Sequence, residues 1–163
     1  MEEKNIFKGL ELIYLPLVMV PILIWMFGGN ILSAAEKVCE PTTNENLGSS
    51  YKPDAPVRSK VGEGYVLTGE VMSSVGCFPI QGAQVEFWLA GPTGYNDALR
   101  GVVFSNKEGE YRFESISPSS MSFRAHIHIR VTASGYRPLV TTHFLKPGED
   151  EEKFDLVLIP LPL

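Results

Sequence analysis

The sequence is short of cationic residues, histidine and cysteine. Lysine and arginine number 14 against 19 aspartate and glutamate residues, which gives a formal net charge of −5. A nucleic-acid-binding protein needs a basic face to meet phosphate, so this shortage argues against nucleic acid as a partner. Charged residues make up only 20% of the chain and hydrophobic residues 44%, a balance that excludes a wholly disordered protein.

Charge is absent altogether from residues 12–35, and as a helix this run would be roughly 36 Å long, enough to cross a bilayer. Tyr14 and Trp25 lie toward its ends, where interfacial aromatic residues belong. A cleaved signal peptide, cut near 33–35, is the alternative. Acidic residues in the tail at 1–11 and the length of the run favour an uncleaved transmembrane anchor.

Residues 36–63 are polar, contain several prolines and show no hydrophobic period, so they are predicted to be a linker. An N-terminal signal-like segment usually directs the export of the domain on its C-terminal side. We therefore expect a single-pass membrane protein whose C-terminal domain is extracytoplasmic. In an oxidising compartment Cys39 and Cys77 permit one disulfide between linker and domain; two unrelated thiols are the alternative.

From 64 to 163 the hydrophobic pattern has a period of two, and no segment has a convincing helical period. One segment alternates strictly, with Val85 and Phe87 on one face and Glu86 and Trp88 on the other. Turn residues separate the segments at short intervals, which predicts an all-β, antiparallel β-sandwich after the single N-terminal transmembrane helix. The predicted strands are 65–71, 83–89, 102–104, 111–113, 126–131, 139–145 and 154–159, with the acidic run 148–152 as a solvated turn.

The triplet His126-Ile127-His128 carries the clearest chemical signal. In a strand, residues i and i+2 point to the same face, about 7 Å apart at their Cα atoms. Two imidazoles so placed are suited to ligate one metal ion, whereas the alternative is two unrelated histidines on the polar side of a strand. The chain has only three histidines, so two at this spacing favour the metal site.

Several further motifs occur in a recognisable order around this triplet. They are PIQGAQVEFWLA from Pro79 to Ala90, Gly94-Tyr95, EGEYRF from Glu108 to Phe113, and RAHIH from Arg124 to His128. Together they resemble the intradiol ring-cleavage dioxygenases, the family of catechol and protocatechuate dioxygenases. The resemblance implies a β-sandwich that holds one non-haem Fe(III) by two tyrosines and two histidines, and that cleaves a catechol with O2 between its two hydroxyl-bearing carbons.

The family pattern carries over to four residues of this chain. It implies that Tyr95, His126 and His128 are metal ligands and that Arg124 is the catalytic arginine. The family has two residues between that arginine and its first histidine, whereas this chain has only Ala125. This shortening would change the direction of the guanidinium group.

Two departures concern the ligand set. The position of the second tyrosine ligand is Met121, which is either core filler or a soft thioether suited to Cu(I) rather than Fe(III). His143 replaces a glutamine of the family, so a third imidazole is predicted to occupy the vacated metal position; a hydrogen bond to a group beside the site is the alternative. Tyr136 is the other candidate replacement, although its loop predicts an exposed turn residue.

The sequence supports three hypotheses. The first is a membrane-anchored extracytoplasmic intradiol dioxygenase that uses non-haem Fe(III), a small catecholic substrate and O2. The second is a non-catalytic copper-binding domain with His126, His128 and His143 as ligands and Met121 near. The third is a structural subunit of a membrane complex. Family members carry extra elements where this chain has a linker, so its pocket is expected to be open, or completed by a second copy or a membrane-complex partner.

Overall fold

A computed structural model describes residues 37–117 and 124–162, and within these ranges the chain forms strands and no helix. The predicted span at 12–35 and the Met121 position lie outside the described residues. Within the described ranges, no helix has the length and apolar character of a membrane span. The strands are β1 (Gly64–Ser73), β2 (Gln84–Gly91), β3 (Gly94–Phe104), β4 (Glu110–Ile116), β5 (His126–Thr132), β6 (Leu139–Phe144), β7 (Glu151–Lys153) and β8 (Leu156–Leu158).

The strands form two sheets. Sheet A has the order β3-β2-β5-β6, with every neighbouring pair antiparallel. Sheet B has the order β4-β1-β7, and β8 also pairs with β1. β1 is antiparallel to β4 but parallel to β7 and β8. The all-β sandwich is therefore confirmed, and the expectation of purely antiparallel pairing is corrected for sheet B.

The hydrophobic core lies between the two sheets and uses the alternate residues that the period of two predicts. Phe87 of sheet A stacks on Phe113 of sheet B, with ring centroids 4.3 Å apart. Burial of one such side chain stabilises the fold by roughly 1.5–3 kcal/mol. The fully buried members also include Leu67, Val71, Val85, Leu89, Ile127, Ile129, Val131, Leu156 and Leu158.

Residues 37–63, which we call the wrapping segment, are not a free linker. Their backbone hydrogen-bonds to strands of both sheets: Glu45 N–H donates to the Val140 carbonyl at 2.7 Å, and Val61 N–H donates to the Glu114 carbonyl at 2.8 Å. Cys39 and Cys77 form a disulfide, as the sequence allowed. Polar composition suggested a linker because this segment gains its order from backbone hydrogen bonds rather than from apolar burial.

The wrapping segment covers the outer face of β2, so this strand is buried on both faces. Glu86 and Trp88 point away from the core, yet only 3% and 1% of their surfaces are exposed. Tyr51 packs edge-on against Trp88 with ring centroids 5.3 Å apart. Gly101 of β3 permits the close approach, because a Cβ there would lie 2.6 Å from the carbonyl oxygen of Arg58.

The acidic run at 148–152 is not wholly a solvated turn, as its composition had suggested. Glu151 and Glu152 belong to β7, which pairs with β1. Glu151 is exposed, but Glu152 points inward and is buried. β3 also begins earlier than predicted, at Gly94, because its first residues are polar and exposed and so lack an apolar period.

Candidate metal centre

Antiparallel pairing within sheet A brings Tyr95, His126 and His128 together at one end of the sheet. β2 is the central link, since Ala90 pairs with Tyr95 on one side and Trp88 pairs with His128 on the other. Tyr95 Oη lies 3.2 Å from His126 Nε2 and 3.0 Å from His128 Nε2. These three residues, singled out from the sequence, therefore meet at one point.

The other nitrogen of each imidazole faces a hydrogen-bond acceptor. His126 Nδ1 lies 2.8 Å from the carbonyl oxygen of Arg124, which only accepts, so Nδ1 carries the proton. His128 Nδ1 lies 3.2 Å from Thr142 Oγ1, and the Thr142 hydroxyl donates to Glu45 Oε2 at 2.7 Å. Since that hydroxyl hydrogen faces the carboxylate, Thr142 accepts from His128 Nδ1–H. Both Nε2 atoms are thus left as lone-pair acceptors.

Burial keeps His128 uncharged at neutral pH. Desolvation, together with the neighbouring His126, lowers the pKa of His128 to about 4. One face of its ring is covered by Trp88, whose centroid lies 5.1 Å away with the two rings nearly parallel. A neutral imidazole with a free Nε2 lone pair is the form that ligates metals.

The donor set fits one cation. The Tyr95 phenol supplies a single proton for two nitrogen lone pairs, so at least one Nε2 lacks a hydrogen-bond donor within this cluster. Two ligands bound at about 2.1 Å and at right angles to each other are about 3 Å apart, which matches both Tyr95–histidine distances. Imidazole nitrogen suits iron, copper and zinc, and a phenol would lose its proton on binding. Within the described ranges, no three histidine, cysteine, aspartate or glutamate residues are grouped as ligands.

Arg124 lies at the edge of this cluster. Its guanidinium carbon is 5.7 Å from the centroid of the Phe144 ring, and that ring is 5.7 Å from the His126 ring. Phe144 pairs with His126 across β5 and β6 and is 46% exposed. An open aromatic ring thus stands beside His126, and the cationic group of Arg124 lies over that ring. The assignment of Arg124 as the catalytic arginine stays a prediction.

His143 does not join the cluster, which corrects the prediction of a third imidazole ligand. In β6 it points into the core, on the face opposite Thr142. Its Nε2 lies 2.8 Å from Tyr65 Oη and 3.2 Å from Glu152 Oε2, and Tyr65 donates its own proton to that carboxylate at 2.8 Å. We call Tyr65, His143 and Glu152 the core triad.

The members of the core triad are hydrogen-bonded to one another, and Glu152 also accepts from the Lys146 backbone N–H. Burial raises the pKa of Glu152, but hydrogen bonds from Lys146 and Tyr65 outweigh this effect and bring the pKa down to about 2. Burial lowers the pKa of His143 despite the nearby carboxylate, so this ring is neutral and donates its Nε2–H. The other candidate ligand, Tyr136, is half-buried and packs against the core instead of lying exposed in its turn.

Sequence reasoning missed the residues that surround the histidine pair. Thr142 contacts His128 directly, and Glu45 contacts Thr142. Thr142 lies in the segment that drew attention only to His143, and Glu45 lies in the predicted linker. Trp88 was recognised as part of a motif, but its stacking on His128 depends on the strand register.

The fold and the site thus define a β-sandwich that presents two histidines and a tyrosine at one end of a sheet. No protein-family model matches the chain. Curated relatives are a catechol 1,2-dioxygenase of Candida albicans, 27% identical over 140 residues (61% of this chain and 46% of the relative), and a chlorocatechol 1,2-dioxygenase of Rhodococcus opacus, 33% identical over 117 residues (53% and 45%). A hydroxyquinol 1,2-dioxygenase of a Rhizobium species is 25% identical over 139 residues (64% and 46%).

Solved structures agree with these relatives. The dioxygenase domain of a dioxygenase–carbohydrate-binding fusion from a Streptomyces species is 26% identical, with a TM-score of 0.65 over 75% of this chain and all of that domain. An intradiol dioxygenase from Tetranychus urticae shares the fold, with a TM-score of 0.63 over 76% of this chain and 97% of its own, at 17% identity. The resemblance to the intradiol ring-cleavage dioxygenase family is thereby confirmed. The chain spans less than half the length of the curated relatives it matches.

Proposed function

We propose that this domain binds one ferric ion through Tyr95, His126 and His128 and cleaves a catecholic compound with O2 between its two hydroxyl-bearing carbons. The observation that carries the proposal is the convergence of the Tyr95 phenol oxygen and the two imidazole Nε2 atoms, each within 3.2 Å of that oxygen. The named relatives act on catechol, chlorocatechol and hydroxyquinol, which supports a catecholic substrate class.

Each residue has a separate task in this proposal. Bound Fe(III) supplies the Lewis acidity and electron exchange needed to activate a catechol toward O2. Tyr95 gives up its phenolic proton and contributes one negative charge to the centre. His126 and His128 hold their Nε2 lone pairs in fixed directions because both Nδ1 atoms are engaged. Arg124, whose guanidinium group lies over the Phe144 ring, stabilises negative charge that develops on the substrate ring.

The alternative is a non-catalytic copper-binding domain. Because His143 points into the core, it does not serve as the third imidazole ligand of a copper site. A copper site would therefore use His126, His128 and the thioether of Met121. A second phenolate is absent at the Met121 position, and this leaves more positive charge on a ferric centre than two tyrosinates would. Metal identity is therefore the measurement that separates the two functions.

We further propose that the domain is extracytoplasmic and is held at the membrane by residues 12–35. The disulfide between Cys39 and Cys77 supports an oxidising compartment. Labelling of intact cells with a membrane-impermeant reagent, at a cysteine introduced in the exposed turn near Gly148, would test the orientation. Labelling only after lysis would contradict it.

The function is tested on the full chain purified in detergent and loaded separately with Fe(III) and Cu(II). We expect one iron per chain, a visible phenolate-to-iron charge-transfer band, and conversion of catechol to a ring-opened dicarboxylic acid that carries both atoms of O2. Tyr95→Phe should remove the band, whereas the matched Tyr136→Phe variant should keep it. Stoichiometric copper without iron binding would favour the alternative, and no bound metal would contradict both.

A further inference from the structure

We propose that Glu45 and Thr142 are positioning residues for the metal ligand His128, so that the wrapping segment forms part of the metal centre. This inference rests on the proposed function, in which His128 is a metal ligand. It assigns a role to a segment whose sequence predicts only a linker, and it distinguishes the two histidines by how each is held.

The hydrogen-bond chain runs from Glu45 through Thr142 to His128. β5 and β6 place Thr142 directly opposite His128, so the threonine hydroxyl reaches the imidazole across the strands. Thr142 Oγ1 lies 2.7 Å from Glu45 Oε2 and 3.2 Å from His128 Nδ1. An ionised carboxylate only accepts hydrogen bonds, so the threonine must donate to Glu45 and accept from His128.

Backbone contacts hold Glu45 in place even though its side chain is exposed. Its N–H donates to the Val140 carbonyl at 2.7 Å, and the Val140 N–H donates to Asn44 Oδ1 at 2.7 Å. These two bonds align the wrapping segment with β6 two residues from Thr142. The Cys39–Cys77 disulfide ties the beginning of the same segment to the domain.

The wrapping segment also fixes the plane of the His128 ring. Trp88 stacks on that ring, and Trp88 Nε1 lies 3.2 Å from Ser50 Oγ of the segment. Tyr51 packs against the edge of the same indole. His128 is thus fixed at Nδ1 by Thr142 and at one face by Trp88, and both supports lead back to the wrapping segment.

His126 provides an internal control because it does not use the segment. Its Nδ1 bonds to the carbonyl oxygen of Arg124, only two residues away on the same strand end. Hydrogen-bond partners of metal-bound imidazoles fix the tautomer and raise ligand basicity, and their loss lowers metal affinity by about 10–100-fold. Loss of the Glu45–Thr142 chain should therefore affect His128 and leave His126 unchanged.

The experiment compares Thr142→Val, Thr142→Ser and Glu45→Gln in the full chain. Nitrogen-15 NMR of the metal-free protein reports the tautomer of each histidine, and titration with Fe(III) and with Zn(II) reports affinity. In the wild type we expect His128 with its proton on Nδ1. Thr142→Val should mix the two tautomers of His128 and weaken metal binding by about 10–100-fold. Thr142→Ser, which keeps the hydroxyl, should retain the wild-type tautomer and the wild-type metal affinity. Glu45→Gln should weaken binding less, since the amide still accepts a hydrogen bond.

The outcomes are distinguishable. If the wild type binds no metal, the proposed function fails, yet the tautomer of His128 in the metal-free variants still tests the positioning role. An unchanged tautomer and affinity in Thr142→Val would overturn the inference. So would Thr142→Ser behaving like Thr142→Val, because keeping the hydroxyl would then make no difference to His128. A shift of the His126 tautomer in the same variants would also overturn it, by showing a general disturbance of the sheet.

Discussion

Two clusters of tyrosine and histidine lie on opposite faces of sheet A and differ in one respect. In the core triad, the Glu152 carboxylate accepts the Tyr65 proton and the His143 Nε2–H, so each donor has an acceptor. In the outer cluster, Tyr95 faces two imidazole nitrogens that both lack a proton. The carboxylate of the core triad thus gives a closed hydrogen-bond network, whereas a second imidazole in its place leaves at least one nitrogen lone pair of the outer cluster without a donor from within the cluster.

The largest effect is expected from removing a ligand of the outer cluster. His128→Ala should lower metal affinity by more than the roughly 100-fold that loss of an outer-shell partner costs. His143→Ala is the matched control, which should bind metal as the wild type does and lose thermal stability instead. Isothermal titration and thermal unfolding of both variants make the test. Equal losses of metal affinity would show that the two clusters are not independent.

The disulfide should have the next largest effect, and it ties the beginning of the wrapping segment to the residues that follow β1. Replacement of Cys39 and Cys77 by alanine removes a cross-link with a sequence separation of 38 residues. Loss of its constraint on the unfolded chain should lower the free energy of unfolding by about 4 kcal/mol. Urea unfolding of the oxidised protein and the double variant measures this. If the core triad is independent of the disulfide, protonation of Glu152 in acid should lower the free energy of unfolding by the same amount in the oxidised protein and in the double variant.

Acid titration probes the core triad through the difference between the wild type and a Glu152 variant, since Asp97 and Glu114 also have lowered pKa values. The pKa of Glu152 falls from its ordinary 4.5 to about 2 in the folded state. Because the pKa is lower in the folded state than in the unfolded state, ionised Glu152 stabilises the fold. This contribution to the free energy of unfolding is fully present above pH 4.5 and is lost as the pH falls toward 2. The loss should be roughly 3 kcal/mol. Urea unfolding at several pH values should show that the loss of stability in acid is smaller by this amount in Glu152→Gln than in the wild type, while the exposed Glu149→Gln variant behaves as the wild type does.

The smallest effect is expected at the contact between the wrapping segment and β3. In Gly101→Ala the new methyl group would lie 2.6 Å from the Arg58 carbonyl oxygen, so the segment must move outward. Overpacking of this kind costs about 1–3 kcal/mol. Urea unfolding should detect that loss, and Gly82→Ala gives a comparison at a glycine where nothing lies within 4 Å of the new Cβ. Gly82 has a φ of 71°, so an alanine there is strained in its backbone, and this cost must be subtracted from the stability loss of Gly82→Ala before the two variants are compared.

The sequence predicts the sandwich and the histidine pair because both depend on local alternation. In the sequences of β2 and β5, apolar residues alternate with polar or larger side chains, which marks the face that points to the core. The i, i+2 spacing alone puts His126 and His128 on one side of the strand. Tyr95 joins them only through the pairing of β2 with β3, which periodicity does not reveal. The resemblance to known dioxygenases supplied this residue instead.

The misassignment of His143 has a simple physical reason. In β6 the residues on both faces are similar in polarity, with Thr141 and His143 on one side and Thr142 on the other. Without contrast between the faces, the sequence cannot say which side points to the metal site. The pairing of Thr142 with His128 decides the question, and it requires the register of β5 against β6. The wrapping segment was predicted to be a linker because its ordering contacts are backbone hydrogen bonds to distant strands, and such contacts leave no pattern in the sequence.

The stacking of Trp88 on His128 gives the centre an optical readout. The chain has two tryptophans, so a Trp25→Phe variant would leave Trp88 as the sole indole emitter. An open-shell ion such as Fe(III) or Cu(II), bound to a ring whose centroid is 5.1 Å from that indole, would quench its fluorescence. Zinc, with a filled d shell, would leave the emission bright. Occupancy of the centre by a redox-active ion could therefore be monitored by ultraviolet emission, with no added dye.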